Sequence, residues 1–436
     1  MRGTNALLAR RDFLKTVGLA TGGMALSKSV LADPAMAATG NGMAQAETPK
    51  RDVGKQPLFE KDRPDWEIRF TDVSNSVLSV MPGESTKTFY DPLIKREVKW
   101  ELDVYCPACT VFNGRLYCVD RCWGEDNQWR MGLAWSDDGL HFTRSAKPVL
   151  YAKPEDTFLG SLRDIKDASV SYGDSRIYGD ENGTLYLFFN FCRYQPPKKT
   201  MQELAVATSR DMEHWTVHGR AFAKRAEKDA DVIPGRKTPR FWPGIVTRLE
   251  GGRLVPARIN GKYWMYLGNV EPQFSDGYVA TSQNMLDWEI YRDAQGQPVK
   301  MLALRPGYFD SNWIDPVAAV LREDGILLIY NGVNADPKKG GDPRRQPLTH
   351  YPAQALFDKN DPTRLLERSE SPFKGGDKEL EKLPRVLWSA PLYEAWSLVP
   401  FKNELLLYWN NVYGRRSVGL WKAPIPDSMK NGLVGK

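Results

Sequence analysis

Along most of this chain apolar and polar residues alternate with a period of two, in short runs broken by glycine, asparagine and aspartate. "VFNGRLYCV" (Val111–Val119), "GDENGTLYLFF" (Gly179–Phe189), "INGKYWMYL" (Ile259–Leu267), "REDGILLIY" (Arg322–Tyr330) and "FKNELLLYW" (Phe401–Trp409) each set a polar turn between two such runs. That period predicts strands rather than helices, and Asn-Gly or Asp-Gly between β-rich runs predicts a hairpin. The turns recur every 64 to 79 residues. After each comes a second β-rich pair: "GLAWSDDGLHF", "AVATSRDMEHW", "YVATSQNMLDW", "AQALFDKNDPTRLL" and "SVGLWKAP". Two of these nearly coincide, "VATSRDMEHW" (Val206–Trp215) and "VATSQNMLDW" (Val279–Trp288). In both, a tryptophan restarts the chain after a polar turn, which predicts a packing role for Trp215 and Trp288.

Similarity at a regular spacing marks a repeat architecture. Radial repetition of such units predicts an all-β fold, a five-bladed β-propeller of four-stranded antiparallel sheets. A pair of stacked β-sandwiches is the alternative. The "SDDGLHF" stretch suggests the Asp box of six-bladed sialidases, but Ser136-Asp137-Asp138-Gly139 is one residue too short for that motif.

Composition agrees with this reading: 14 Trp, 36 Gly and 30 Pro suit many turns and few long helices. The formal charge of +6 is misleading, because residues 1–46 carry five Lys/Arg against two Asp/Glu. The remainder mixes both signs, with no basic stripe of the kind nucleic-acid binding needs. No run of 18 apolar residues is present to span a bilayer. Residues 1–46 predict a twin-arginine (Tat) export signal and linker: "ARRDFLK" (Ala9–Lys15) precedes the weakly apolar "TVGLATGGMALS". Small-residue cleavage sites follow at Ala35-Met36-Ala37 or Ala44-Gln45-Ala46. Residues 47–436 would then be the propeller catalytic domain, periplasmic or secreted and free of the membrane once the signal is removed.

In a propeller the first strand of each unit lines the axis, so a shared site draws on residues just before the first hairpin turn. Asp103, Asp174, Asp315 and Glu394 stand eight to ten residues before their turns; the third repeat instead offers "RFWPG" (Arg240–Gly244). Convergent carboxylates suit glycosidic-bond cleavage, which needs one protonated acid and one ionised carboxylate as base or nucleophile. The same aspartates could equally cap strand ends. Trp242, Trp313 and Trp396 lie near the predicted loop face, where they could stack on sugar rings or pack between blades. Asp310 is a loop carboxylate able to reach a ligand.

"YGDSRI" (Tyr172–Ile177) resembles the Glu-Asp-Pro-Arg-Ile motif of glycoside hydrolase family 130, the β-mannoside phosphorylases and mannosidases. "YCPACTVFNGRLYCVDR", "GYFDSNWIDPVAAVLREDGILLIYNGV" and "YPAQALFDKNDPTRLLERSESPF" resemble further segments of that family. The resemblance implies a five-bladed enzyme with Asp174 as general acid, Arg176 as the motif's Arg and Arg121 in contact with substrate. Asp315 or Glu394 would be the partner base, and Asp103 would join the two arginines in holding hydroxyls. The chain departs from the pattern at Gly173 for Glu, Ser175 for Pro, Cys106 for an Asx or Asp, and Asn331 for His. Those departures, with export, point to hydrolysis rather than phosphorolysis of an oligosaccharide or glycoside. The alternative is a non-catalytic carbohydrate-binding propeller.

The four His residues show no metal-ligand spacing. No cofactor is expected, apart from the structural calcium that some related propellers hold, for which no ligand set is legible. Cys106, Cys109, Cys118 and Cys122 form C-x2-C-x8-C-x3-C and raise a third reading, a metal-dependent oxidoreductase or lyase. A two-residue turn at Asn113-Gly114 would set Cys109 opposite Cys118, with Cys106 and Cys122 close neighbours beyond. Buried thiols or disulfides are both compatible with that register, and Cys192 is left over.

Overall fold

The computed structural model describes residues 63–80, 85–156, 169–195, 199–222, 242–268, 276–375, 393–411 and 416–430. Residues 1–46, predicted above as an export signal and linker, lie outside them. The chain divides into two units, Met1–Gln56 and Pro57–Lys436, and every described residue belongs to the second.

β1 (Thr71–Ser79) precedes a small hairpin of β2 (Thr88–Asp91) and β3 (Arg96–Lys99). A four-stranded antiparallel sheet follows: β4 (Val104–Phe112), β5 (Arg115–Trp123), β6 (Trp129–Ser136) and β7 (Thr143–Arg144). The next has the same order: β8 (Ser169–Gly179), β9 (Leu185–Gln195), β10 (Lys199–Ser209) and β11 (Thr216–Arg220). A third set contains β12 (Trp242–Glu250), β13 (Arg253–Pro256), β14 (Arg258–Ile259), β15 (Lys262–Gly268), β16 (Gly277–Ser282), β17 (Trp288–Ile290) and β18 (Lys300–Leu302). The fourth is β19 (Trp313–Leu321), β20 (Ile326–Val333), β21 (His350–Phe357) and β22 (Leu365–Arg368). β23 (Glu394–Phe401), β24 (Glu404–Asn411) and β25 (Ser417–Pro424) form the last, followed by the single turn of α1 (Asp427–Lys430). The fold is all-β.

The predicted hairpins have local causes. Asn113-Gly114, Asn260-Gly261 and Lys402-Asn403 all take positive φ at both positions, as a two-residue turn matched to strand twist requires. The repeated decapeptides are one structure used twice. Ser209 Oγ accepts from the Asp211 and Met212 amides, and Ser282 Oγ from those of Asn284 and Met285. Trp215 and Trp288 each donate from Nε1 to the carbonyl of that methionine, at 3.0 and 2.9 Å. "SDDGLHF" builds the same turn, with Ser136 Oγ accepting from Asp138 and Gly139. Both tryptophans are buried, as a packing role demands.

Two features depart from the pattern. In the third set Asn260-Gly261 joins β14 to β15, while β12 turns back earlier, at Gly251-Gly252, to pair with β13. In the last set the fourth strand is β1, paired to β25 from far back in the sequence. No local alternation announces a partner more than 300 residues away.

The first strands touch in succession: β4 with β8, β8 with β12, β12 with β19, β19 with β23, and β23 with β4. β12 and β19 pair in parallel, Val246 with Ala319 to Arg248 with Leu321, which joins the third and fourth sets into one larger sheet. Five apolar clusters fill the spaces between consecutive sets, for example Phe188, Val206, Met265 and Trp288 between the second and third. Burying each such side chain contributes about 1.5–3 kcal/mol. Residues of all five first strands, among them Thr110, Ile177, Thr247, Ala318 and Val399, line a common pocket.

Candidate active site

Four of the first strands break register at nearly the same height: between Tyr105 and Ala108, Gly173 and Arg176, Pro316 and Ala318, and Ala395 and Ser397. A bulge adds a residue and re-aims its side chain. Cys106 and Asp174 sit in two of these bulges at φ 56° and 51°. Non-glycine residues held there cost roughly 1–3 kcal/mol each, a strain found mainly where function requires it. The register also shows that Asp315 and Glu394 hold equivalent places, opposite Asn331 and Asn410.

The bulges bring the three predicted carboxylates into one polar network. Asp174 Oδ1 accepts from Arg121 and lies 3.3 Å from Cys106 Sγ, while Oδ2 has no hydrogen bond among the described residues. Cys106 N donates to Asn410 Oδ1 (2.8 Å), and Asn410 Nδ2 donates to Glu394 Oε2 (2.7 Å). Tyr105 Oη donates to the same Glu394 oxygen at 3.1 Å. His350 Nε2 stands 2.7 Å from Asp315 Oδ2 and 3.6 Å from Glu394 Oε1. Trp313 Nε1 donates to Asp315 Oδ2 at 3.2 Å. All three acids are buried.

Burial pushes the Glu394 carboxyl above its ordinary range, and the charges of Asp315 and Asp174 add to that; His350 and Asn410 oppose it only in part. For His350 burial favours the neutral ring, but Glu394 and Asp315 outweigh it and raise its pKa. Arg176 lies within electrostatic reach of Cys106, Glu394 and Asp315. It donates to the Ser175 and Pro316 carbonyls (3.2 and 3.4 Å), with its guanidinium 3.9 Å from the Trp396 ring centroid. Its burial without a directly touching carboxylate lowers its pKa.

The remaining expected ligand contacts are placed differently. Asp103 is ion-paired to Arg416 outside the bulge level, and Arg121 is committed to Asp174 between the rings of Tyr105 and Trp129. Asp310 is fully buried and held by Arg305, Arg368 and Tyr330, so it is a structural anion rather than a ligand contact. Trp242 belongs to the core between the last two sets. Trp396, 2% exposed, is covered by Arg176 and donates to the Ser175 carbonyl at 3.0 Å, which leaves no face for a sugar. Of the three tryptophans Trp313 alone is partly open.

His350, Asn410 and Tyr105 were not legible as site residues. His350 opens the third strand of its set, and only the register Trp313–Val333–His350 sets it beside Asp315. Asp315, His350 and Glu394 are the one group among the described residues whose donor atoms, all within 4.8 Å, could hold a metal ion.

The cysteines are thiols. Cys109 does face Cys118, as the turn predicts, but all four of Cys106, Cys109, Cys118 and Cys122 are free and buried. Cys106 and Cys122 are not neighbours as expected: the bulge turns Cys106 toward Asp174, whereas Cys122 lies 3.0 Å from Asp120 and 3.3 Å from Arg144. Burial raises the thiol pKa of Cys106, Cys118 and Cys122, which makes them poor nucleophiles and metal ligands. The side chain of Cys192 is outside the described set.

Acids gathered from separate strands of an all-β scaffold are an arrangement that carbohydrate-active proteins use. Among these, the chain belongs to glycoside hydrolase family 130, whose sequence profile, described as beta-1,4-mannooligosaccharide phosphorylase, matches residues 65–386. Asp174 and Asp315 fall inside that match and Glu394 beyond it. A curated relative, beta-1,2-mannobiose phosphorylase of Listeria innocua serovar 6a, is 26% identical over 262 residues, which is 57% of this chain and 55% of the relative. The chain thus spans about half the length of that relative. A glycosyl hydrolase from Bacteroides ovatus is 28% identical, covering 85% of this chain and all of its own, with a TM-score of 0.69. A second solved structure, from work on family members that hydrolyse beta-1,2 mannosidic linkages in Candida mannan, is also 28% identical. It covers 84% of this chain and 98% of its own, with a TM-score of 0.70.

Proposed function

We propose that this protein is an exported five-bladed β-propeller enzyme that hydrolyses mannosidic bonds in oligosaccharides. The ring of contacts among the first strands and the five interleaved clusters support the propeller reading. Asp174 acts as general acid through Oδ2, its other oxygen being fixed by Arg121 and Cys106. Glu394 or Asp315, across the rim beside His350, acts as base on the attacking water. The observation that carries this is the convergence of the three acids from three strands, with one oxygen of Asp174 left free.

Mannosides are favoured because the Listeria innocua relative is a beta-1,2-mannobiose phosphorylase and one solved relative comes from work on family members that target beta-1,2 mannosidic linkages. Hydrolysis is favoured over phosphorolysis by the departures from the family motif at Gly173, Ser175 and Cys106, together with the export signal read at residues 1–46. The grip of Arg121 on Asp174 favours one other reading, a carbohydrate-binding propeller without turnover.

Incubation with β-1,2- and β-1,4-mannooligosaccharides, with and without phosphate, tests the assignment by product analysis. Free mannose independent of phosphate is expected. Mannose 1-phosphate would show a phosphorylase, and binding without products would favour the second reading.

A further inference from the structure

Asn410 is fully buried on β24, a neighbouring strand that bears none of the three acids, yet it touches both halves of the site. Its Oδ1 accepts from the Cys106 amide at 2.8 Å, and its Nδ2 donates to Glu394 Oε2 at 2.7 Å and faces Cys106 Sγ at 3.8 Å. Cys106 Sγ in turn lies 3.3 Å from Asp174 Oδ1. A single amide therefore links Glu394 to the strained residue that braces Asp174. The equivalent residue one set earlier, Asn331, makes only the backbone half of this arrangement: it bonds the N–H and C=O of Ala395, at 2.9 and 3.0 Å.

We infer that Asn410 is a positioning residue, fixing the placement of Asp174 and Glu394 relative to each other through Cys106. This rests on the acid–base reading above. An amide can do so because it presents a donor and an acceptor in one rigid plane, and an isosteric carboxylate cannot supply the donor. Glu394 is faced by Tyr105 and Cys106 of β4, Asp174 and Arg176 of β8, Asp315 of β19, His350 of β21 and Asn410. Of these, Tyr105 and Asn410 alone donate to Oε2.

The test compares Asn410→Asp, Asn410→Ala and Asn331→Ala. Asn410→Asp keeps the acceptor for Cys106 but sets a like charge against Glu394. The Glu394 titration, followed by isotope-edited infrared difference spectroscopy, should move up by about one pH unit or more. kcat on a mannooligosaccharide should fall about 10- to 100-fold with KM changed less than about threefold. Asn410→Ala should also shift the S–H stretch of Cys106, assigned by its loss in Cys106→Ala. Asn331→Ala should lower stability without moving either signal.

An unshifted Glu394 titration and S–H band in both Asn410 variants would overturn the inference. So would the same shifts in Asn331→Ala, which would show a general loosening. If the wild type turns over no mannoside, the function falls, but the two infrared signals still decide the role of Asn410.

Discussion

Asp310 and Asp174 are both hidden from water, 0% and 3% exposed, but they are compensated in opposite ways. Asp310 has both oxygens engaged: Arg305 holds both, and Arg368 and Tyr330 share Oδ2. Two guanidiniums and a hydroxyl outweigh its burial and keep its pKa below the ordinary value. Asp174 has its contacts on one oxygen, and its companion Glu394 is pushed the other way, toward holding a proton. A buried acid that is completely satisfied costs little to keep and can do no chemistry. One left half-satisfied beside a second acid is a place where a proton can move. The contrast separates these two carboxylates better than burial does.

The largest expected effect tests the reactive side. Asp174→Asn should reduce kcat by about 10²–10⁴-fold, the typical worth of general acid assistance, with the unfolding midpoint near wild type. A nearly wild-type rate would remove Asp174 from the chemistry.

Asp310→Asn should do the reverse. Stranding Arg305 and Arg368 without their anion should cost about 3–5 kcal/mol in denaturant unfolding, with kcat of the folded fraction retained. Activity lost at full stability would break the comparison, because Asp310 would then be serving the substrate.

pH sharpens it further. His350 has a raised pKa, so its contribution to stability is complete below about 6.5 and is lost as pH rises through its folded value. His350→Gln should flatten the decline in thermal midpoint above pH 6.5. Asp310 has a lowered pKa, so its contribution is present above 3.8 and lost as pH falls through its folded value; Asp310→Asn should remove that part of the acid limb. Identical pH profiles for wild type and both variants would contradict the assigned environments.

The smallest effect belongs to the repeated turns far from either cluster. Ser282→Ala removes the acceptor for the Asn284 and Met285 amides and should cost about 0.5–1.5 kcal/mol without change in activity. A loss of activity would mean that the outer turns influence the rim.

By itself the sequence determined the elements and their turns. Alternation, Asn-Gly pairs and the Ser-x-Asp/Asn turns act over a few residues, so hairpins such as β4–β5 and the Trp215 and Trp288 turns are legible in them. It also named the three acids, with Asp103 as a fourth, because a carboxylate ahead of a first hairpin recurs at a countable distance. Bulges, closure and charge pairing were decided by the tertiary structure. A one-residue shift at Cys106 turned an expected Cys106–Cys122 neighbour pair into a brace for Asp174, and pairing across more than 300 residues supplied β1 to the last sheet. The resemblance implied Arg121 and Asp103 as ligand contacts, and position near the predicted loop face suggested Asp310 and Trp396. Their protein partners, Asp174, Arg416, Arg305 with Arg368, and Arg176, follow no sequence pattern, because in a buried setting electrostatic and packing demands are met by whichever group the fold brings within reach.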